Sequence, residues 1–205
     1  AWLVSGATAL CGTAAHAVTA APKPEITASA AKSTLIKAAP KPIKAPVKTG
    51  GATVPVAIAP PGQIIGASKL FDAPAMFTVV AMSDARTCEL DVATLDRLGV
   101  LNEPEFCHPL GESVFRTLGL LADWARVTRV AGVRAQLAAA LTVLGAQQKS
   151  ERVRLPGHAV LAELLGVTRE SVARAMSALE KDGHITRLGR TYCELHLARL
   201  KTQAG

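Results

Sequence analysis

The sequence predicts an α+β chain in three parts: a strand-rich amino-terminal half, one long amphipathic helix, and a helical carboxy-terminal unit closed by a hairpin. Three observations predict it. Short apolar runs separated by turn residues recur from Trp2 to Leu90. From Leu110 the apolar period changes from two to about three and a half. From Leu155 a short helix, a glycine, a second helix and a hairpin follow in close order. With 205 residues, 49% of them hydrophobic, the chain has room for one or two domains and material for a core, which excludes wholesale disorder.

Trp2-Leu-Val-Ser-Gly6 leading to Ala9-Leu10-Cys11, Thr53 to Ala59, Gln63-Ile-Ile-Gly66, Phe77-Thr-Val-Val-Ala-Met82 and Arg86-Thr-Cys-Glu-Leu90 read as strands of a small β-barrel or sandwich, with Pro60-Pro61-Gly62 as a turn. Between the first two lies a low-complexity tract, Ala14 to Gly50. Six lysines there (Lys23, Lys32, Lys37, Lys41, Lys44, Lys48) face the single acid Glu25, so most of the net +7 belongs to this tract and not to the folded surface. Repeated prolines and mutually repelling lysines predict a disordered or polyproline-like insertion. Its two readings are a solvated spacer and a salt-sensitive tail that attracts DNA without sequence preference. The uncharged run from Ala1 to Pro22 lacks a basic n-region and is diluted by Gly, Ser, Thr and His, so it reads as neither a signal peptide nor a membrane span. A start without methionine reads as a fragment.

In the long helix, residues 110–132, Val114, Leu118, Leu121, Ala125, Thr128 and Gly132 form one stripe and Leu120, Trp124, Val127 and Ala131 a second. Two apolar stripes need two things to pack on, the helix's own β-domain and a second copy of the chain. Arg116, Asp123, Arg126 and Arg129 argue against a membrane span. Gly132 predicts a hinge before a further helix, Val133 to Gln147, with Leu137, Leu141 and Leu144 on one face.

The carboxy-terminal unit carries the function. A helix near Ala159 to Leu165 stops at Gly166, and Thr168 can cap a second helix from Arg169, which makes a helix-turn-helix. Val172, Met176 and Leu179 would face the core, leaving Arg169, Glu170, Ser171 and Arg174 outside at the end that such a helix inserts into the major groove. Arginine can donate twice to guanine O6 and N7, and glutamate can accept from cytosine N4. A solvated Arg-Glu-Arg face is the plain alternative; the turn, the cap and the hairpin weigh against it. His184 to Leu188 and Arg190 to Leu195 flank Gly189 as a wing, with Arg187 and Arg190 near its tip expected on phosphates.

Other chemistry is thinly represented. Cys11, Cys88, Cys107 and Cys193 form no C-x-x-C pair, so neither a disulfide framework nor a self-contained zinc site is expected. No glycine-rich phosphate loop, H-E-x-x-H or nucleophile elbow is present, and His16, His108, His158, His184 and His196 show no ligand spacing, so an enzyme is not expected. Cys107-His108 is a lone pair with weak claim to a metal or haem.

The tail, with Leu164-Leu-Gly-Val-Thr-Arg-Glu-Ser-Val-Ala-Arg174 and Leu179-Glu-Lys-Asp-Gly-His-Ile185, strongly resembles the Crp/Fnr family of bacterial transcription regulators. The resemblance extends to Pro61-Gly-Gln-Ile-Ile-Gly66, similar to the turn of that family's cyclic-nucleotide-binding, cupin-like β-roll. It implies a partial β-roll effector domain over 1–109, interrupted by 14–50, with its first strands preceding Ala1. It further implies a dimerisation helix and hinge over 110–132 and a winged helix-turn-helix over 133–205. A cytoplasmic homodimer on a palindromic operator follows, with Thr168, Arg169, Glu170, Ser171, Arg174, Arg187 and Arg190 on double-stranded DNA and RNA polymerase as a further partner. Arg169, Glu170 and Arg174 match the Arg-Glu-x-x-x-Arg pattern of cyclic-AMP receptor proteins, and Ala173 stands where the Fnr branch has serine. The effector would meet Gly62, Ile65, Gly66 and Ala67. Cyclic AMP is disfavoured: the Gly-Glu pair for the ribose is here Gly66-Ala67, and Ala75 stands near the phosphate arginine's place. Arg86-Thr-Cys-Glu-Leu90 resembles the site of the fourth iron–sulfur ligand in Fnr-type sensors, which makes Cys88 either a cluster ligand or a small core residue. The competing function is an architectural, nucleoid-associated protein with a decayed β-roll and a non-specific basic tail.

Overall fold

The computed structural model describes residues 7–9, 31–36, 55–75, 77–82 and 85–204. The described chain mixes helices and strands and divides into two units, one holding the early strands and residues 61–117, the other residues 55–60 and 118–204.

The first unit is built on a four-stranded antiparallel sheet. Its strands are β1 (Ala7–Ala9), β2 (Ala31–Ile36), β3 (Ile64–Ile65) and β4 (Ala85–Leu90), in the order β2-β4-β1-β3. In register, Ala9 pairs with both Ile64 and Cys88, and Ser33 with Cys88. Strand β2 corrects the expectation of an unstructured insertion over its six residues. Ala-Lys-Ser-Thr-Leu-Ile contains no proline, so every backbone donor is available to the ladder, and Thr34 and Ile36 are β-branched. The rest of that tract lies outside the described residues, as does Trp2 to Gly6.

Two further strand expectations fail. No strand forms at residues 55–59: Pro55 removes a donor, and Ala57 and Ile58 pack on the helical core of the second unit instead. Phe77 to Met82 keeps only an isolated bridge at Val79, and its ends, Phe77 and Met82, are exposed. A turn of 3-10 helix, Ala67–Phe71, follows β3, and α1 (Val92–Arg97) follows β4. Asp91 caps α1 by accepting from the Thr94 backbone N–H at 3.0 Å, and Leu95 and Val100 are buried.

The long helix, α2, spans Pro104–Val127 and so begins six residues before the expected start. Pro104 occupies the first helical position, where its missing N–H costs nothing, and Phe106 and Cys107 donate to the Glu103 carbonyl to open the first turn. Pro109 lies inside the helix.

In the second unit the last part of α2 is followed by a turn at Gly132, whose φ of 86° is one that glycine adopts without strain. Then come α3 (Val133–Gln148), β5 (Arg152–Arg154), α4 (His158–Leu165), α5 (Arg169–Lys181), β6 (Ile185–Arg187), β7 (Tyr192–Leu195) and α6 (Leu197–Ala204). The three strands form an antiparallel sheet in the order β5-β7-β6. Trp124, Leu137, Leu141, Leu161, Val172, Met176, Leu179, Cys193, Leu195 and Leu200 are all fully buried in one core. At about 25 cal/mol per Å² of apolar surface, each such leucine contributes roughly 1.5–3 kcal/mol. Buried polar groups are tied in as well. Gln147 accepts from the Trp124 indole N–H and donates to the Ile58 carbonyl, each at 3.1 Å. Gln136 donates to the Leu165 carbonyl at 3.2 Å and the Thr128 carbonyl at 3.4 Å, joining α3 to the ends of α4 and α2.

Candidate nucleic-acid interface

The turn between α4 and α5 is fixed by its own backbone bonds. Gly166 takes a left-handed φ of 65°, its N–H donates to Glu163, and the Val167 N–H reaches back to Ala162 at 2.9 Å. This is the paired closure that ends a helix on glycine. Thr168, extended, then caps α5: its hydroxyl accepts from the Ser171 backbone N–H at 3.1 Å. The Ser171 hydroxyl lies 3.0 Å from Thr168 Oγ1 and accepts from Arg174 Nη2 at 3.4 Å. A short polar chain therefore links the cap to the arginine one turn further on.

The expected division of α5 is what the structure shows. Val172, Met176 and Leu179 are buried, whereas Thr168, Arg169, Glu170 and Arg174 are exposed and Ser171 is half-buried. Among the described residues, Arg169, Glu170 and Arg174 make no ion pair. Two donors of the guanine-reading kind and one carboxylate thus stand in solvent on the first turns of one helix, available to base edges.

The wing forms with Ile185 opposite Leu195 and Arg187 opposite Cys193, closed at Gly189 by the Leu188 N–H donating to Tyr192. Its two arginines separate. Arg190 is exposed at the tip. Arg187 is bound instead to Glu180 of α5, with Nε to Oε2 at 2.7 Å, Nη2 to Oε2 at 2.5 Å and its backbone N–H to Oε1 at 3.3 Å. Strand alternation is the cause, since Arg187 shares the face of buried Ile185 and is carried toward α5. The Arg187 hydrogen bond holds the Glu180 carboxyl below its usual value, and Glu180 in turn raises the guanidinium. Behind the pair, burial pushes the Cys193 thiol up to about 11, so it packs as a small apolar group.

The first unit brings Gly62, Ile65, Gly66 and Ala67 to the two ends of β3, with Gly62 and Gly66 at φ of 85° and 82°. The side chains that organise this turn were not singled out in sequence. The Ser113 hydroxyl, on α2 and fully buried, accepts from the Ile64 N–H at 3.1 Å and lies 3.5 Å from Gln63 Oε1, to which Thr117 donates at 3.3 Å. Two small hydroxyl residues four positions apart, Ser113 and Thr117, on one face of α2 were the available signal. Among the described residues no three His, Cys, Asp or Glu side chains gather to hold a metal, and Cys88 stands half-buried on β4. None of the described helices is long and apolar enough to cross a membrane.

A capped helix-turn-helix with an adjoining wing defines a DNA-binding class of domain. Residues 135–202 match the Crp-like helix-turn-helix domain. No curated protein matches the chain in sequence. Among solved structures, a CRP/FNR-family transcriptional regulator from Thermus thermophilus superposes with a TM-score of 0.60 at 20% identity, over 84% of this chain and 98% of its own. A CRP-family regulator from the same organism gives 0.59 at 22% identity, over 74% and 77%. The c-di-GMP-responsive global regulator CLP of Xanthomonas campestris gives 0.56 at 16% identity, over 82% and 95%. The chain has the fold of the Crp/Fnr-type transcription regulators, and within its carboxy-terminal unit residues 135–202 are similar to a Crp-like helix-turn-helix domain.

Proposed function

We propose that the protein is a sequence-specific regulator that binds a palindromic operator as a homodimer in the cytoplasm, under the control of an effector other than cyclic AMP. The observation that carries this reading is the exposed, unpaired set Arg169, Glu170 and Arg174 on the capped end of α5. Arg190 at the wing tip and the Thr168 and Ser171 hydroxyls would supply phosphate contacts that set register. For the second copy, α2 offers an apolar stripe in which Val114 and Leu118 are about half exposed and Phe115 is 76% exposed, while Trp124 and Val127 are already buried in the core.

The effector would lie at Gly62, Ile65, Gly66 and Ala67. Ala67 carries no carboxylate for a ribose and Ala75 no guanidinium for a phosphate, so cyclic AMP would lose its charge-assisted partners. A c-di-GMP-responsive regulator has this same fold, which agrees with a different effector. The Crp-like domain does not favour the architectural alternative. Selection of bound duplexes from a random pool tests the proposal. A palindrome with half-sites about one helical turn apart is expected. Arg169→Ala and Arg174→Ala should each weaken binding to it by about 1–3 kcal/mol. Unchanged affinity in both variants would refute base reading by α5.

A further inference from the structure

Every arginine on the recognition surface is a source of attraction to any duplex, whatever its sequence, because each phosphate neutralised releases counterions. Arg169, Arg174 and Arg190 have no carboxylate partner among the described residues; Arg187 has one, held by two side-chain bonds and a backbone N–H. Glu180 sits in the last turn of α5 and Arg187 at the end of β6, joined by the tight link through Gly183, so the carboxylate is fixed beside the guanidinium. A phosphate reaching for Arg187 must displace an acceptor that is already in place and present at high effective concentration.

We propose that Glu180 is a specificity-determining residue: its carboxylate occupies the Arg187 guanidinium and withholds this wing cation from non-specific phosphates. Arg187 then positions the wing through Glu180, and phosphate attraction at the wing falls to Arg190. The inference rests on the DNA-binding reading and refines it. The geometry of Arg187 supports it directly, because the guanidinium shares the face of Ile185 and not the outward face of Thr186. The lowered carboxyl of Glu180 agrees, since it stays ionised wherever DNA binding is measured.

The test uses the whole chain and a labelled duplex of random sequence, with anisotropy titrations from 50 to 300 mM KCl. Glu180→Gln should bind this duplex more tightly at low salt, by about threefold per protomer. The slope of log K against log salt should steepen by about 0.9 for each protomer on the duplex. Arg187→Gln should keep the wild-type slope, and the double variant should match Arg187→Gln. That match separates release of Arg187 from a disturbed wing, which would act in both backgrounds. A Glu180→Gln slope equal to wild type, or a shallower slope for Arg187→Gln, overturns the inference while leaving DNA binding intact. Wild-type protein that binds no duplex at any of these salts overturns the DNA-binding reading, and this inference with it.

Discussion

At the residue scale, Thr168 has two duties that one substitution separates. Its hydroxyl satisfies the Ser171 N–H at the start of α5 and begins the chain of contacts to Arg174. Thr168→Ala should cost about 1 kcal/mol in urea unfolding, the usual worth of such a cap, while Thr168→Ser stays near wild type. The Glu180–Arg187 pair gives a pH dependence of definite sign. A carboxyl held below its ordinary value stabilises the fold above that value, about 4.3, and the contribution is lost as pH falls through the lowered one. Wild type should therefore resist urea better than Glu180→Gln at pH 7, and the difference should close as pH falls through the carboxyl's lowered range. A difference that persists in acid would mean that something other than the ion pair distinguishes them. Thr168 was legible because Gly-Val-Thr followed by a polar-apolar helical period is a local signal. The fate of Arg187 was not, since tip proximity suggested phosphate; counting parity from Ile185 would have turned it toward α5.

At the element scale, period carried α3, α4, α5 and the wing, whose apolar positions recur at helical or alternating spacing with glycine at their ends. It failed where an element has few apolar residues of its own. Strand β5 is Arg-Val-Arg, a single core residue between two cations, and exists because Val153 pairs opposite Cys193. Helix α6 presents Leu197 and Leu200 to the core, too short a pattern to read alone, yet Leu200 is completely buried. Leu200→Ala should therefore cost about 2–5 kcal/mol in urea unfolding despite its place near the chain's end. A cost below about 0.5 kcal/mol would show that α6 is not part of the folded core. In the first unit, proline punctuation hid β2 inside a proline-rich tract, and the apolar period, clear only from Leu110, missed the first turns of α2.

At the scale of the whole molecule, the question is what covers the apolar stripe of α2. A helix of 24 residues runs about 36 Å, long enough to present several turns to a partner. One of its two apolar stripes is accounted for by Trp124, Val127 and the half-buried Leu120, which pack in the helical core. Of the other, Val114 and Leu118 remain in water in the single chain, with the exposed Phe115 beside them. A stripe along one helix fits its own two-fold copy, since each residue then meets its symmetry mate or a near neighbour. Burying one leucine from each protomer would contribute roughly 3–6 kcal/mol to association. Leu118→Glu places two carboxylates in that seam, and in sedimentation equilibrium it should weaken self-association by at least about a hundredfold. The variant should also lose the advantage of a palindrome over a single half-site, because two recognition helices are no longer presented together. If Leu118→Glu self-associates as wild type does, α2 is not the seam, and the proposed homodimer would have to be built on some other surface.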